Sequence, residues 1–463
     1  MICANLIWSF FSSLPSSSLH YPQSGHKFFV LLIMAIIALL LDVSFGKISD
    51  LLGKQYYLNW GIIAFIAISV VSILGQYLIL AFIKQNSKEL RNKAVTLHLK
   101  TIHNTVRIAQ YILTLLFLIL IYQITITSHY NVFLLAASVT ISYGLAAVVL
   151  ALVSQRFFSW RRSKRNWVLL LYSISCASLA FNAIFSAFYM DELLLERPSE
   201  VWADSSNYFP PITQDSFRYI LDIIYVFSSI SSFILTWASS LFLLHHFSKR
   251  LGRIKFWFVV SIPLVYFISQ FITPFLDFLN PIINSDPFFF GILFTLVFTL
   301  SKLAGGILFG IAFWTVAKTL HKTSTIRAYM IIAAYGIILV FITGQATVTQ
   351  TPYPAFGAAT LCFVGLSSYM MLVGIYSSAL SVSQDAALRR SIQRSVENQS
   401  KLLHGIGTAQ MEEEIQKTVL KIANKQADKM KEETGIETSS SEEDMKDYLL
   451  EVIKEVERIR KSP

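Results

Sequence analysis

Long apolar stretches separated by short polar segments run along the first 380 residues of the chain. A helix needs about 20 mostly apolar residues to cross a bilayer, and ten stretches approach or exceed that length. Backbone polar groups cannot stay unpaired in lipid, so each stretch is predicted to be α-helical. The ten predicted spans are 28–45, 57–83, 106–127, 131–153, 167–190, 218–246, 256–279, 288–316, 326–346 and 355–380.

The pattern therefore predicts an all-α fold, a polytopic transmembrane helical bundle of about ten spans. Three regions are expected: an N-terminal arm at 1–27, a transmembrane domain at 28–380 and a tail at 381–463. The first span is the weakest, because it is short and ends near Asp42. Without it, nine spans would remain. No basic segment precedes the apolar run at 2–11, so a cleaved signal peptide is not expected.

Basic residues are concentrated in every second loop, at 84–105, 154–166, 247–255 and 317–325. Short basic loops favour the cytoplasmic side of a membrane. Loop 191–217 carries six acidic residues and one arginine, and is predicted to be external. With ten spans, both termini are predicted to be cytoplasmic in a multi-pass protein of the cell membrane.

Composition supports a membrane protein, since 54% of the 463 residues are hydrophobic and 14% are charged. Soluble domains carry about 25% charged residues. The net charge of +10 divides into +12 before residue 381 and −2 in the tail. The basic excess therefore belongs to the membrane loops, and no nucleic-acid partner is expected. The nine histidines show no metal-ligand spacing, so neither a metal nor another cofactor is predicted.

Ionisable side chains are rare within the predicted spans, and each is a functional candidate. Lys302 lies about 14 residues into the eighth span, near the bilayer centre. It would bind an anionic ligand, pair with an acid, relay protons, or serve only a structural role by snorkelling. Asp222 is the candidate acidic partner by charge, although it lies one to two turns inside the sixth span and over ~10 Å away in depth.

Two glycines, Gly306 and Gly310, follow Lys302 at GxxxG spacing and are predicted helix-packing positions. Pro263 and Pro274 can kink the preceding span. A glycine-rich span with a lysine beside a kinked helix is, in a general way, typical of transporters.

The tail has the periodicity of amphipathic helices, predicted at 384–404 and 408–433, with Gly405 and Gly407 separating them. Their apolar faces need a cover, which self-association, a cytoplasmic protein partner or the membrane surface would supply. A third stretch has alternating four-three spacing, which predicts a short coiled-coil seam. Its residues are Met445, Leu449, Val452, Val456 and Ile459.

The tail run Leu388-Arg389-Arg390-Ser391-Ile392, then Gln399-Ser400-Lys401-Leu402-Leu403 and Ile406-Gly407-Thr408-Ala409-Gln410-Met411-Glu412, resembles the ending of uncharacterised archaeal multi-pass membrane proteins. The resemblance covers about 40 residues. It implies an archaeal cell membrane and no activity.

The division into a membrane body and an association-prone tail favours a non-enzymatic sensor or signalling scaffold. A secondary transporter for a small solute is the alternative, with Lys302 as its central residue. An intramembrane enzyme is not expected, because no set of His, Asp, Glu or Cys residues converges at one depth in the predicted spans.

Overall fold

The computed structural model describes residues 33–45, 54–86, 97–163, 166–203, 217–245, 252–271, 289, 293, 300–318, 320, 325–344, 353–384 and 400–434. The described part of the chain is almost entirely helical, with eleven helices. Their bounds are α1 Ile33–Phe45, α2 Lys54–Asn86, α3 Leu97–Tyr122, α4 Val132–Ser163, α5 Trp167–Leu195, α6 Phe217–Leu244, α7 Arg253–Ser269, α8 Leu300–Lys318, α9 Thr325–Thr343, α10 Ala358–Gln384 and α11 Ser400–Thr434.

Eight of these helices, α2 to α6 and α8 to α10, are long and apolar enough to cross a membrane. This confirms a multi-pass helical membrane protein. Within the described residues, α1 is a shorter apolar helix and α7 has 17 residues.

Several helices extend beyond the ends that the apolar pattern predicts. Helix α3 begins at Leu97, inside the predicted loop 84–105, and α4 continues to Ser163. Polar side chains in these extensions find partners on neighbouring helices. The ring Nδ1 of His103, for example, lies 2.7 Å from the hydroxyl of Tyr369. Such contacts extend the helices past the apolar core.

A two-stranded antiparallel ladder closes one end of the bundle, which we call the hairpin end. Strand β1, His129–Asn131, pairs with β2, Glu200–Trp202. The acidic loop predicted at 191–217 is therefore folded onto the body over its described part. Tyr353 packs beneath the ladder, and burial raises its pKa to about 12. Its hydroxyl stays protonated and donates a hydrogen bond to the carbonyl of Ile124 at 2.7 Å.

Helix α10 is the core of the body, since all residues from Ala358 to Leu380 are buried. Its closest neighbours are α9 and α4. Glycine allows this approach: a Cβ at Gly374 would lie 2.5 Å from the backbone nitrogen of Ala333. Without a hydrophobic driving force between helices in lipid, such close packing holds them together.

Asp42 of α1 caps the beginning of α10. Its carboxylate accepts hydrogen bonds from the backbone N–H of Gly357 at 3.0 Å and of Thr360 at 2.8 Å. The Thr360 hydroxyl donates a third at 2.8 Å. The first N–H groups of a helix have no intrahelical acceptor, so Asp42 satisfies them from another helix.

Residues 400–434 of the tail form one continuous helix, α11, which corrects the break predicted between the helices at 384–404 and 408–433. Gly405 and Gly407 do not break it. Both are buried, where α11 packs against α10, α4 and α5. The contacts lie at the end of the body opposite the ladder, which we call the tail end. The glycines are positions of close packing.

Candidate functional site

A small cavity of about 40 Å³ lies in the middle of the body, and Lys302 is one of its lining residues. Residues from seven helices, α4 to α10, converge on it or on its margin. Tyr143 and Ser368 lie 11 and 10 residues from the beginnings of α4 and α10. At about 1.5 Å per residue the cavity is some 15 Å from the hairpin end, and so deep in the body.

Lys302 is partly buried in the third position of α8. Its ammonium donates a hydrogen bond to the carbonyl of Gly344 at 3.0 Å. That carbonyl lies just past the end of α9, where the last carbonyls of a helix lack intrahelical donors. Among the described residues, no carboxylate pairs with this ammonium. Lys302 thus closes the end of α9 and brings a positive charge to the cavity.

Polar groups with different hydrogen-bonding roles share the cavity with Lys302. The buried hydroxyl of Tyr143 makes no hydrogen bond to any described residue. Ser232 donates its hydroxyl hydrogen to the carbonyl of Ser229 at 2.9 Å, and Ser368 donates to the carbonyl of Val364 at 3.0 Å. The hydroxyl hydrogens of these two serines therefore point to backbone carbonyls. The Tyr143 O–H and the remaining N–H groups of the Lys302 ammonium can still donate to a ligand.

Asp222, the predicted acidic partner, does not belong to this cavity. It lies on α6 seven residues before Ser229, or roughly 10 Å along the helix axis. Its carboxylate interacts with the hydroxyl of Tyr189 on α5. Nearby, Arg218 forms an ion pair with Glu196 at 2.5 Å. The two predicted ionisable candidates thus belong to separate polar contacts.

The predicted packing glycines of α8 lie against α9. A Cβ at Gly306 would come within 3.1 Å of the carbonyl oxygen of Ile338, and one at Gly310 within 2.5 Å of its Cγ1. A Cβ at Gly305 would lie 2.3 Å from the Phe233 ring. This close packing of α8 holds Lys302 beside the end of α9.

The docked part of α11 forms a second candidate site. Its first turns bury apolar side chains against the tail end of the body, and the indole N–H of Trp160 donates to the Gln410 amide oxygen at 3.1 Å. Arg156 forms an ion pair with Glu413 at 3.2 Å. The buried apolar residues of α11 are Leu402, Leu403, Ile406 and Ala409.

Beyond Glu414, whose carboxylate still accepts a hydrogen bond from Ser383 of α10, the helix leaves the body. Ile415 is 44% exposed and Ile422 is 53% exposed. A cleft of about 520 Å³ lies where the helix departs, lined by Arg156, Tyr376 and Glu413 among others. Helix α11 therefore has a docked half and a projecting half.

The predicted coiled-coil seam and Pro274 cannot be compared with the structure, whereas Pro263 can. The seam residues Met445, Leu449, Val452, Val456 and Ile459 lie outside the described residues, as does Pro274. Pro263 is inside α7. Within the described ranges, no group of three or more His, Cys, Asp or Glu is placed to hold a metal.

Neither Tyr143 nor the docking residues of α11 can be recognised as functional from the sequence alone. Tyrosine is common in membrane helices, so one tyrosine in an apolar run carries no signal of its own. The docking residues share a face of the amphipathic pattern, which shows that a face is covered without showing what covers it.

Comparison with known proteins gives no match among family models, curated proteins or solved structures.

Proposed function

We propose that the chain is a non-enzymatic membrane sensor or signalling scaffold whose output element is α11. The supporting observation is that α10 contacts both candidate sites. Ser368 lines the central cavity. Near the other end of α10, Val382 packs against Gly407 of α11, and the Ser383 hydroxyl donates to the Glu414 carboxylate at 3.4 Å. Over the 14 residues from 368 to 382, α10 spans about 21 Å.

A buried, closely packed helix moves as a unit, because interiors at this density transmit displacement. A change at the cavity that shifts or rotates α10 alters the surface on which α11 docks. The ion pair and the Trp160 hydrogen bond give that surface a defined geometry. The projecting half, with exposed Ile415 and Ile422, would then present the change to a partner or to another copy.

The proposed topology has ten spans, α1 to α10, and both termini are cytoplasmic. The basic ends of α4 at Arg161 and Arg162 lie at the same end of the body as α11. Basic residues favour the cytoplasmic face. This supports a cytoplasmic α11 in a cell membrane.

Hydrogen exchange of the full-length protein in lipid nanodiscs tests the coupling. Lys302→Met removes the charge at the cavity and the hydrogen bond to Gly344. We expect faster amide exchange in residues 400–413, although these residues are far from the substitution. Lys318→Met is the matched control, because Lys318 ends the same helix outside the cavity. Equal exchange in all three proteins would refute the sensor proposal.

A secondary transporter is the second candidate, favoured by the placement of the cavity among seven helices. Cavities of this kind near the midplane are typical transporter sites. Uptake of ³⁶Cl⁻ by liposomes that contain the full-length protein separates the two. Uptake that Lys302→Met abolishes supports transport, and the sensor proposal predicts no uptake above that of empty liposomes.

A further inference from the structure

The charge of Lys302 is not balanced within the described part of the body. Its described hydrogen-bond partner is the neutral carbonyl of Gly344, and none of the described ion pairs includes it. An ammonium has three N–H donors. Even partial removal of a charge from water is unfavourable without a partner of opposite sign. The central cavity adjoins this ammonium, so an acceptor placed there would satisfy it.

Tyr143 supplies an independent sign of an absent acceptor. The residue is 2% exposed, its hydroxyl makes no hydrogen bond to the described residues, and it lines the same cavity. Leaving a buried donor unsatisfied costs about 1–3 kcal/mol. Buried hydroxyls are almost always paired, and an exception commonly marks a bound water or ion. Lys302 and Tyr143 thus bring donors from α8 and α4 to one space.

Size and charge define the occupant. A cavity of about 40 Å³ has room for a monatomic ion or for water, and is too small for a metabolite. The lysine charge repels cations. We propose that the central cavity is a binding site for a monovalent anion of chloride size, held by the Lys302 ammonium and the Tyr143 hydroxyl. The hydroxyls of Ser232 and Ser368, whose hydrogens are directed to backbone carbonyls, contribute little to it.

The surrounding packing favours a selective site. The aromatic rings of Phe233 and Phe267 stack on the cavity margin with centroids 3.9 Å apart. A Cβ added at Gly305 would collide with the Phe233 ring. Enlargement would require these packed groups to move, and close packing resists that. The volume and the packing therefore favour a small anion over a large organic one. Anion binding by the body does not depend on the role of α11.

Thermal unfolding of the full-length detergent-solubilised protein tests the site. Sodium chloride is titrated against sodium gluconate at constant ionic strength, and gluconate is too large for the cavity. A ligand that binds only the folded state raises its stability in proportion to ln(1 + [L]/Kd). We expect the unfolding midpoint to rise with chloride. Bromide, which is slightly larger, should substitute with a similar or smaller shift.

Two variants locate the effect. Lys302→Met should raise the Kd for chloride roughly tenfold or more, because it removes a charged donor. Tyr143→Phe removes one hydroxyl and should raise the Kd for chloride roughly threefold to tenfold. Lys318→Met and Tyr172→Phe are matched controls, since both residues lie outside the cavity. These control variants should respond to chloride as the wild type does.

Identical midpoints in chloride and gluconate for the wild-type protein would overturn the proposal and assign the cavity to water. A chloride response that survives unchanged in Lys302→Met and Tyr143→Phe would also overturn it, because the anion would then bind elsewhere. If Lys302→Met fails to fold, the conservative Tyr143→Phe variant and ³⁵Cl NMR line broadening of the wild-type protein decide the question. If the wild-type protein broadens the ³⁵Cl line no more than control samples exchanged into gluconate do, the anion site is refuted.

Discussion

Gly407 lies where α11 crosses the end of α10, and replacing it by alanine tests the docked helix. A Cβ at this position would lie 2.1 Å from Cγ1 of Val382 and 2.6 Å from its Cβ. Val382 is buried and β-branched, so its side chain has one strongly preferred rotamer in a helix. It cannot adopt another rotamer to make room for the added Cβ. The two helices would have to separate by roughly 1 Å to restore ordinary contact.

The cost follows from the overpacking. Extra atoms in a closely packed interior cost about 1–3 kcal/mol. The equilibrium between docked and released α11 should therefore fall about 5- to 150-fold. Alanine also favours helix formation over glycine by about 1 kcal/mol. Gly407→Ala should thus release the helix from the body while leaving its helical content intact or raised.

Hydrogen exchange separates these two effects in the full-length protein, with circular dichroism as the measure of helix content. Gly405→Ala is the matched control two residues away. A Cβ there would meet only the Asn166 side-chain nitrogen at 3.3 Å and Leu169 Cδ1 at 3.7 Å. We expect faster exchange over 400–413 in Gly407→Ala and unchanged or slower exchange in Gly405→Ala. Equal behaviour of the two variants would refute the described docking.

Three further experiments test the body and its contacts. Asp42→Ala leaves three donors at the beginning of α10 without their acceptor. It should lower the free energy of unfolding by about 1–3 kcal/mol in a denaturant titration, and an unchanged midpoint would contradict the cap. Gly374→Ala should lower the thermal midpoint, because overpacking against α9 costs about 1–3 kcal/mol, whereas Gly144→Ala, with no atom within 4 Å, should not. A double-mutant cycle on Arg156 and Glu413 should give a coupling free energy below about 1 kcal/mol, since both side chains are partly exposed. A larger value would mean that the ion pair is shielded from solvent.

Much of the membrane body could be predicted from the length of its apolar runs. Bilayer thickness sets the length of a spanning helix, so a run such as 131–153 predicts α4 without knowledge of its neighbours. The pattern could not show that α10 is the buried core. Lipid and protein interior are equally apolar, so hydropathy does not separate a helix such as α10 from one on the lipid-facing surface. Small residues such as Gly365 and Gly374 were the available signal of burial.

The candidate sites depended on tertiary contacts to a greater degree. Lys302 could be selected because charge is costly in lipid, but its nearness to Tyr143 arises from the packing of α8 against distant helices. Asp222 was a reasonable partner by charge alone, and the helical rise places it elsewhere. Gly405 and Gly407 predicted a helix break, because glycine has a low helix propensity. Close packing at the tail end overrides that propensity.

A distance across the docked interface reports whether the cavity and the tail helix are coupled. Spin labels at Phe158→Cys on α4 and Ile422→Cys on α11, both exposed positions, report docking by pulsed electron paramagnetic resonance. Cys176 and Cys362 are buried, and Cys3 would be replaced by serine. Gly407→Ala supplies the released reference. We expect a narrow distance distribution in the otherwise wild-type protein, and a shift toward the released distribution in Lys302→Met but not in Lys318→Met. If Gly407→Ala alters the distribution and Lys302→Met leaves it unchanged, the cavity and α11 are not coupled.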